Sequence, residues 1–159
     1  MNNMTLNQPM KRLFAGSFLL LLPFITYGQQ ASIATTSNQI AKTGGTLTIR
    51  ATANYEEAPG AIGWSLVLPP GWSLLRTSGP CLPEIAPPAG ANGKLEWAFV
   101  TVPVSPAQFE FTVSYPAGQP AGSSVEAEMF LCANGESKSI ATNRLTFFRR
   151  SERLDPHEK

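Results

Sequence analysis

The sequence predicts an all-β protein built as a single antiparallel β-sandwich of seven to eight strands. Apolar and polar residues alternate over most of the chain after residue 32, clusters of Pro and Gly separate the alternating runs, and no run has helical spacing. With 159 residues, 43% of them hydrophobic, the chain can bury one core. A small barrel is the alternative, whereas a parallel α/β fold would need crossover helices.

Five runs have the two-residue period of a half-buried strand. Their inward phases are Leu47, Ile49, Ala51 and Ala53; Ile62, Trp64, Leu66 and Leu68; Leu95, Trp97 and Phe99; Phe109, Phe111, Val113 and Tyr115; and Val125, Ala127, Met129 and Leu131. A last strand is expected over residues 139–148. Phe130 interrupts the polar phase of its strand, and we expect it at an edge or in a contact. Turns are expected at residues 58–60, 69–71, 87–90, 103–106 and 116–122.

The N-terminal region has the layout of a secretory signal peptide. Lys11 and Arg12 precede an apolar run over residues 13–25, and small residues follow near Gly28. The run is shorter than the roughly 20 residues that a membrane-spanning helix needs. We therefore expect residues 1–28 to be removed, with a cut after Ala31 as the alternative, and no stable membrane insertion. Residues 29–148 then form the sandwich, and residues 149–159 form a charged, flexible tail.

Cys81 and Cys132 are the only cysteines, and an exported chain with an even cysteine count favours a disulfide between them. Two separate thiols are the alternative. The bridge would hold the long loop over residues 78–93 against the strand that carries Cys132. Loops of this length in small domains are commonly functional, although a plain connection between the sheets would also explain it.

Few residues are suited to catalysis or metal binding, and we expect a protein that is not an enzyme and has no cofactor or metal. The chain has 1 His, and its only Asp is Asp155. Glu126 and Glu128 share a strand face, with Glu110 as a candidate opposite them, but alternating glutamates are typical of a solvated sheet face. A balance of 12 Lys and Arg against 11 Asp and Glu gives no broad basic surface for nucleic acid.

Three segments carry a family resemblance: IGWSLVLPPGWS over residues 62–73, LEWAF over residues 95–99, and PAQFEFTVSYPAG over residues 106–118. Together they resemble the cohesin-like, immunoglobulin-like β-sandwich modules of secreted bacterial proteins. The resemblance covers residues 32–148 and implies an immunoglobulin-like or cohesin-like sandwich that acts by binding. No residues match the dockerin-binding face of cellulosomal cohesins.

Tyr55 and Trp72 are the candidate ligand contacts. Trp64 and Trp97 lie on inward phases and are assigned to the core, whereas Tyr55 follows a strand in an acidic loop. Trp72 follows Pro69, Pro70 and Gly71, and it either plugs one end of the sandwich or lies exposed.

The sequence therefore predicts a secreted or periplasmic, non-catalytic module that mediates protein–protein or cell-surface interaction. Its expected partner is an extracellular or envelope protein, contacted through the Cys81 and Tyr55 loops. Two alternatives remain open. One is a carbohydrate-binding module that stacks a polysaccharide on Tyr55 and Trp72, and the other is a structural subunit of an extracellular assembly.

Overall fold

Two antiparallel sheets of four strands each form the two layers of the structure. A computed structural model describes residues 28–150, and within that range it contains no helix. The strands in this range are β1 Gln30–Thr35, β2 Gln39–Ile40, β3 Gly45–Asn54, β4 Ala61–Val67, β5 Ser73–Ser78, β6 Lys94–Phe99, β7 Ala107–Tyr115, β8 Ser124–Val125, β9 Ala127–Ala133, β10 Glu136–Ala141, β11 Leu145–Thr146 and β12 Phe148–Arg149. The first sheet has the order β1-β3-β7-β5, and the second has the order β10-β9-β4-β6. The predicted all-β sandwich is confirmed.

The register of the strands follows the predicted alternation. In the first sheet β3 pairs with β7, so that Ile49 lies opposite Phe111. In the second sheet β4 lies between β6 and β9, which places Trp64 opposite both Trp97 and Met129. All of these side chains are buried. Because directly opposed residues point to the same face of a sheet, the matched phases give each sheet one continuous apolar face.

Aromatic side chains fill the space between the two apolar faces. The ring of Phe109 lies 5.8 Å from that of Trp64, 5.5 Å from that of Trp97 and 6.0 Å from that of Phe99. Trp64 and Trp97 are 3% and 2% exposed, so their assignment to the core is confirmed. The indole Nε1 of Trp97 donates to Thr77 Oγ1 at 2.9 Å, which satisfies its buried N–H group.

The prediction of one last strand over residues 139–148 is wrong. β10 ends at Ala141, and the chain then leaves the second sheet. It forms two short pairings, β11 with β8 and β12 in parallel with β2. Phe147, between these pairings, is fully buried, and its ring lies 5.3 Å from that of Trp72. The chain therefore does not extend β10 beyond Ala141 but turns to bury Phe147 at the end of the sandwich.

Three of the four outer edges of the sheets are partly covered. Asn143 reaches the free edge of β1, where its Oδ1 accepts from the backbone N of Ile33 and its Nδ2 donates to the carbonyl of the same residue, each at 2.9 Å. Residues 90 and 91 bond to Leu74 of β5, and Ile85 forms a bridge with Ala98 of β6. Such covering limits pairing between exposed edges.

The predicted signal peptide and most of the predicted tail, residues 1–27 and 151–159, lie outside the described residues. Arg149 and Arg150, which the sequence analysis placed in the tail, are joined to the sandwich. Arg149 belongs to β12, and the backbone N of Arg150 donates to the carbonyl of Ile40 at 2.9 Å.

Candidate interaction surface

The strand directions gather several loops at one end of the sandwich. The β3–β4 loop over residues 55–60, the first part of the β5–β6 loop over residues 79–87, the β6–β7 loop over residues 100–106 and the β9–β10 turn at residues 134–135 all lie there. We call these segments together the apolar end. Its surface carries the strongest candidate for a binding site.

Four aliphatic side chains of the apolar end point into solvent. Leu82 and Ile85 in the β5–β6 loop are both 58% exposed, and Val100 and Val104 in the β6–β7 loop are 72% and 87% exposed. A single exposed aliphatic residue is ordinary on a protein surface. Four of them on two neighbouring loops make this end the candidate contact surface of the described residues.

Hydrogen bonds hold the two loops in fixed positions. The carboxylate of Glu84 accepts from the backbone N of Val100 at 3.0 Å and from that of Thr101 at 3.2 Å. The backbone N of Cys81 donates to the carbonyl of Gln108 at 3.0 Å. Hydrogen bonds from its own backbone N–H and from that of Val100 lower the pKa of Glu84, which therefore stays ionised at neutral pH. The apolar residues are thus presented on ordered loops, which reduces the entropy cost of binding.

Tyr55 is not an exposed ligand contact, and that prediction is wrong. Its side chain is 7% exposed, its hydroxyl donates to the carbonyl of Pro103, and its backbone N donates to Ser105 Oγ at 3.0 Å. Burial, followed by the nearby Cys81 thiol, raises the pKa of its hydroxyl. Tyr55 therefore fixes the β3–β4 loop against the β6–β7 loop from below the surface.

Trp72 is also buried, so its ring cannot stack on a sugar. Of the two predicted positions, the structure shows the one in which Trp72 fills one end of the sandwich. It is 0% exposed, and its ring lies 5.5 Å from that of Tyr115 and 5.3 Å from that of Phe147. Among the described residues, its Nε1 is the one buried side-chain nitrogen or oxygen without a hydrogen-bond partner. Phe147, which packs against the Trp72 ring, is distant from it in the sequence.

The predicted disulfide is not formed, because Cys81 and Cys132 are both free thiols in the structure. Cys132 lies in β9 between Leu131, which is buried, and Ala133, which packs against the core. Alternation therefore points the Cys132 side chain to the outer face of the second sheet. Cys81 packs against the core beside the first sheet, where its backbone N donates to Gln108 of β7. Backbone contacts, and not a disulfide, hold the β5–β6 loop.

The three glutamates considered as a catalytic group do not form one. Glu110 lies on the first sheet, where its carboxylate is 2.8 Å from the guanidinium of Arg50. Glu126 pairs with Arg144 at 2.6 Å, and this hydrogen-bonded partner lowers the pKa of Glu126. Glu128 accepts from Ser139 Oγ at 2.6 Å. Within residues 28–150, no group of three or more His, Cys, Asp or Glu residues is placed to hold a metal ion.

Phe130 lies on the outer face of the second sheet, but not at an edge as predicted, because β9 is paired with both β10 and β4. It is 42% exposed and lies opposite Gly63 of β4 and Ser139 of β10. Its neighbours across the sheet have little or no side chain. Gly63 also lies opposite Ala98 of β6, which forms the bridge with Ile85, so Phe130 is on the same row of residues as Ile85 and three strands away from it.

Comparison with solved structures supports the fold. A part of the major pilin SpaD from Corynebacterium diphtheriae is similar over 73% of this chain and 34% of the pilin, with a TM-score of 0.51 and 13% identity. The chain thus spans about a third of the pilin's length. This similarity agrees with the antiparallel β-sandwich fold of the described residues.

Two further structures are similar at lower scores. The C-terminal domain of the antigen I/II polypeptide BspA from Streptococcus agalactiae gives a TM-score of 0.48 and 16% identity over 76% of this chain and 49% of that one. A non-cellulosomal cohesin from Archaeoglobus fulgidus gives 0.46 and 16% over 77% of this chain and 92% of that one. No model of a protein family matches the chain, and no curated protein matches its sequence.

The described part of the chain contains no helix that is long and apolar enough to cross a membrane.

Proposed function

We propose that this protein is an exported, non-catalytic β-sandwich module that binds another protein of the cell envelope or the extracellular space through its apolar end. The observation that carries the proposal is the group of four exposed aliphatic residues, Leu82, Ile85, Val100 and Val104, on two hydrogen-bonded loops. Aliphatic side chains make no directional polar contacts, so they suit the apolar centre of a protein interface.

Export is the second part of the proposal. The basic residues and apolar run before Gly28 support removal of residues 1–28 as a signal peptide, which would release the sandwich into the periplasm or outside the cell. N-terminal sequencing of the protein from the producing cells tests this directly. A mature chain that begins at Gln29 or Ser32 supports export, and an N-terminus that still precedes the apolar run contradicts it.

The carbohydrate-binding alternative loses the residues on which it depended. Stacking on a sugar requires an open aromatic face, and both Tyr55 and Trp72 are buried. The exposed residues of the apolar end are aliphatic. A structural subunit of an extracellular assembly remains compatible with the same surface, because subunits of an assembly also bind one another through exposed apolar residues.

The contact surface is tested by capture from the envelope and culture fluid of the producing organism. The purified protein is immobilised and compared with a Leu82→Ser/Val104→Ser variant, and bound proteins are identified by mass spectrometry. Val67→Ser is the matched control, because Val67 is 62% exposed but lies at the other end of β4. We expect a specific protein to bind the wild type and the control and to be lost from the double variant. Equal recovery with all three would contradict the proposal.

A further inference from the structure

The two ends of the sandwich carry opposite charge within the described residues. The loops of the apolar end contain Glu56, Glu57 and Glu84 and no lysine or arginine. In the adjoining β10, Glu136 adds a negative charge, whereas Lys138 lines the same surface depression as Glu56 and Glu57, so the apolar end keeps a net negative charge. At the other end, Lys42, Arg149 and Arg150 are exposed. We call this second surface the basic end. The charge is therefore divided along the length of the sandwich, although the whole sequence is close to neutral.

Contacts between their segments place the three basic residues together. The backbone N of Gly118 donates to the carbonyl of Lys42 at 2.9 Å, and the guanidinium of Arg149 donates to the carbonyl of Gln119 at 3.0 Å. Two other cations near this end are already neutralised, since Arg144 pairs with Glu126 and Lys94 pairs with Glu96, each at 2.6 Å. Within the described residues, Lys42, Arg149 and Arg150 form no ion pair.

The basic end also has an exposed apolar side chain. Phe148 is 53% exposed and is followed directly by Arg149 and Arg150. The apolar end also has exposed apolar residues, but the charged residues beside them are glutamates. The two ends are therefore complementary in charge and share apolar character.

We propose that the partner of the apolar end is the basic end of a second copy of this chain. The inference rests on the proposed function and names its partner. Phe148 of one copy would pack on the aliphatic residues of the next, and the arginines would face Glu56 and Glu57. Because the two surfaces differ, the contact is head-to-tail. Each added copy leaves one free end of each kind, so assembly continues into a filament unless it closes into a ring.

The test is sedimentation velocity of the purified protein over a range of concentrations and salt. We expect the sedimentation coefficient to rise with protein concentration and to fall as salt is added, because salt screens the exposed charges. The acidic-end variant is Glu56→Lys/Glu57→Lys, and the basic-end variant is Lys42→Glu/Arg150→Glu. Each variant alone has two ends of like charge and should sediment as a monomer.

An equimolar mixture of the two variants restores the pairing of opposite charges and should recover the association of the wild type. The control is Glu110→Lys/Glu128→Lys, which changes the net charge as the acidic-end variant does but lies on the outer faces of the two sheets. The control should associate like the wild type. Circular dichroism of every variant checks that it is folded.

A wild type that stays monomeric at all concentrations, or a mixture of folded variants that stays monomeric, overturns the head-to-tail contact. So does an acidic-end variant that associates like the wild type. These outcomes leave the proposed function separately testable, because capture of a different protein that depends on Leu82 and Val104 would still support it. If the protein neither associates with itself nor captures a protein through Leu82 and Val104, both proposals are wrong.

Discussion

At the scale of single residues, burial decided which aromatic side chains can take part in binding. Trp64 and Trp97 could be assigned to the core from the sequence, because they lie on the inward phase of strands with clear alternation. Tyr55 and Trp72 could not be assigned in this way, since both lie in loops. Their burial depends on Pro103 and Phe147, which come from distant segments. Such contacts cannot be predicted from the local sequence.

The two tryptophans with different hydrogen bonding allow a paired test. Trp97 Nε1 donates to Thr77, whereas Trp72 Nε1 has no partner within the described residues. Both changes to Phe remove a similar volume, but only Trp97→Phe breaks a hydrogen bond and leaves the Thr77 hydroxyl unpaired. We expect Trp97→Phe to lower the free energy of unfolding by about 1 kcal/mol more than Trp72→Phe, measured by urea denaturation. Equal losses, or a larger loss at Trp72, would show that Trp72 is hydrogen-bonded in solution.

Glu84 makes the position of the β6–β7 loop dependent on pH. Backbone hydrogen bonds lower its pKa in the folded state, so its stabilising effect is present above the pKa of the unfolded chain and is lost as the pH falls through the lower folded value. At about pH 7 we expect Glu84→Gln to speed amide hydrogen exchange at Val100 and Thr101 relative to the wild type. As the pH falls through the lowered pKa of Glu84 the difference should shrink, because the wild-type carboxyl group then becomes protonated.

Glu57→Gln is the control for this measurement, because Glu57 is exposed in the neighbouring loop and accepts no hydrogen bond from either amide. It should leave exchange at Val100 and Thr101 unchanged at every pH. If Glu84→Gln also leaves them unchanged at neutral pH, the carboxylate does not hold the loop.

At the scale of strands, alternation identified the elements that are paired on both sides or face the core along their length. β3, β4, β6, β7 and β9 are of this kind. β5 did not show a clear period, because an irregularity between Leu74 and Arg76 shifts its register. The sequence does not predict β2, and it merges β11 and the start of β12 into one strand over residues 139–148, because their pairing partners are distant and two residues are too few to show a period.

Asn143 offers a test of how the edge of β1 is held. Its amide group makes two hydrogen bonds to the backbone of Ile33, replacing bonds that a further strand would make. We expect Asn143→Ala to lower the free energy of unfolding by roughly 1–2 kcal/mol in urea denaturation. Asn92→Ala is the control, since Asn92 is exposed in a loop and should change stability little. If the two variants are equally stable, the contact with Ile33 contributes nothing.

At the scale of the whole molecule, the relation between the two cysteines shows what sequence spacing could not supply. Export and an even cysteine count favour a bridge, but the sequence does not say that Cys81 lies beside β7 of the first sheet while Cys132 is on the outer face of the second. We expect thiol titration in denaturant without reductant to find both cysteines of each chain reactive. The midpoint of urea unfolding should also be the same with and without reductant. If no thiol reacts and reductant lowers the unfolding midpoint, the two cysteines form the disulfide that the sequence predicts.

The position of the proposed interaction surface depends on the whole fold. The sequence predicts contacts through the Cys81 and Tyr55 loops, and the structure brings both loops to the apolar end. The exposed residues there are not the aromatic ones but Leu82, Ile85, Val100 and Val104. Val100 and Val104 follow a strand in a Pro-rich loop, and nothing in their local sequence separates them from residues that turn inward.

The measurement that tests the central claim most directly is site-specific photocrosslinking in the producing cells. A photoreactive amino acid replaces Val104, which is 87% exposed at the apolar end, or Phe130, which is 42% exposed on the outer face of the second sheet. We predict that the probe at position 104 gives a discrete protein adduct and that the probe at position 130 gives none. Adducts from position 130 alone, or none from either position, would contradict the claim that the apolar end is the binding surface.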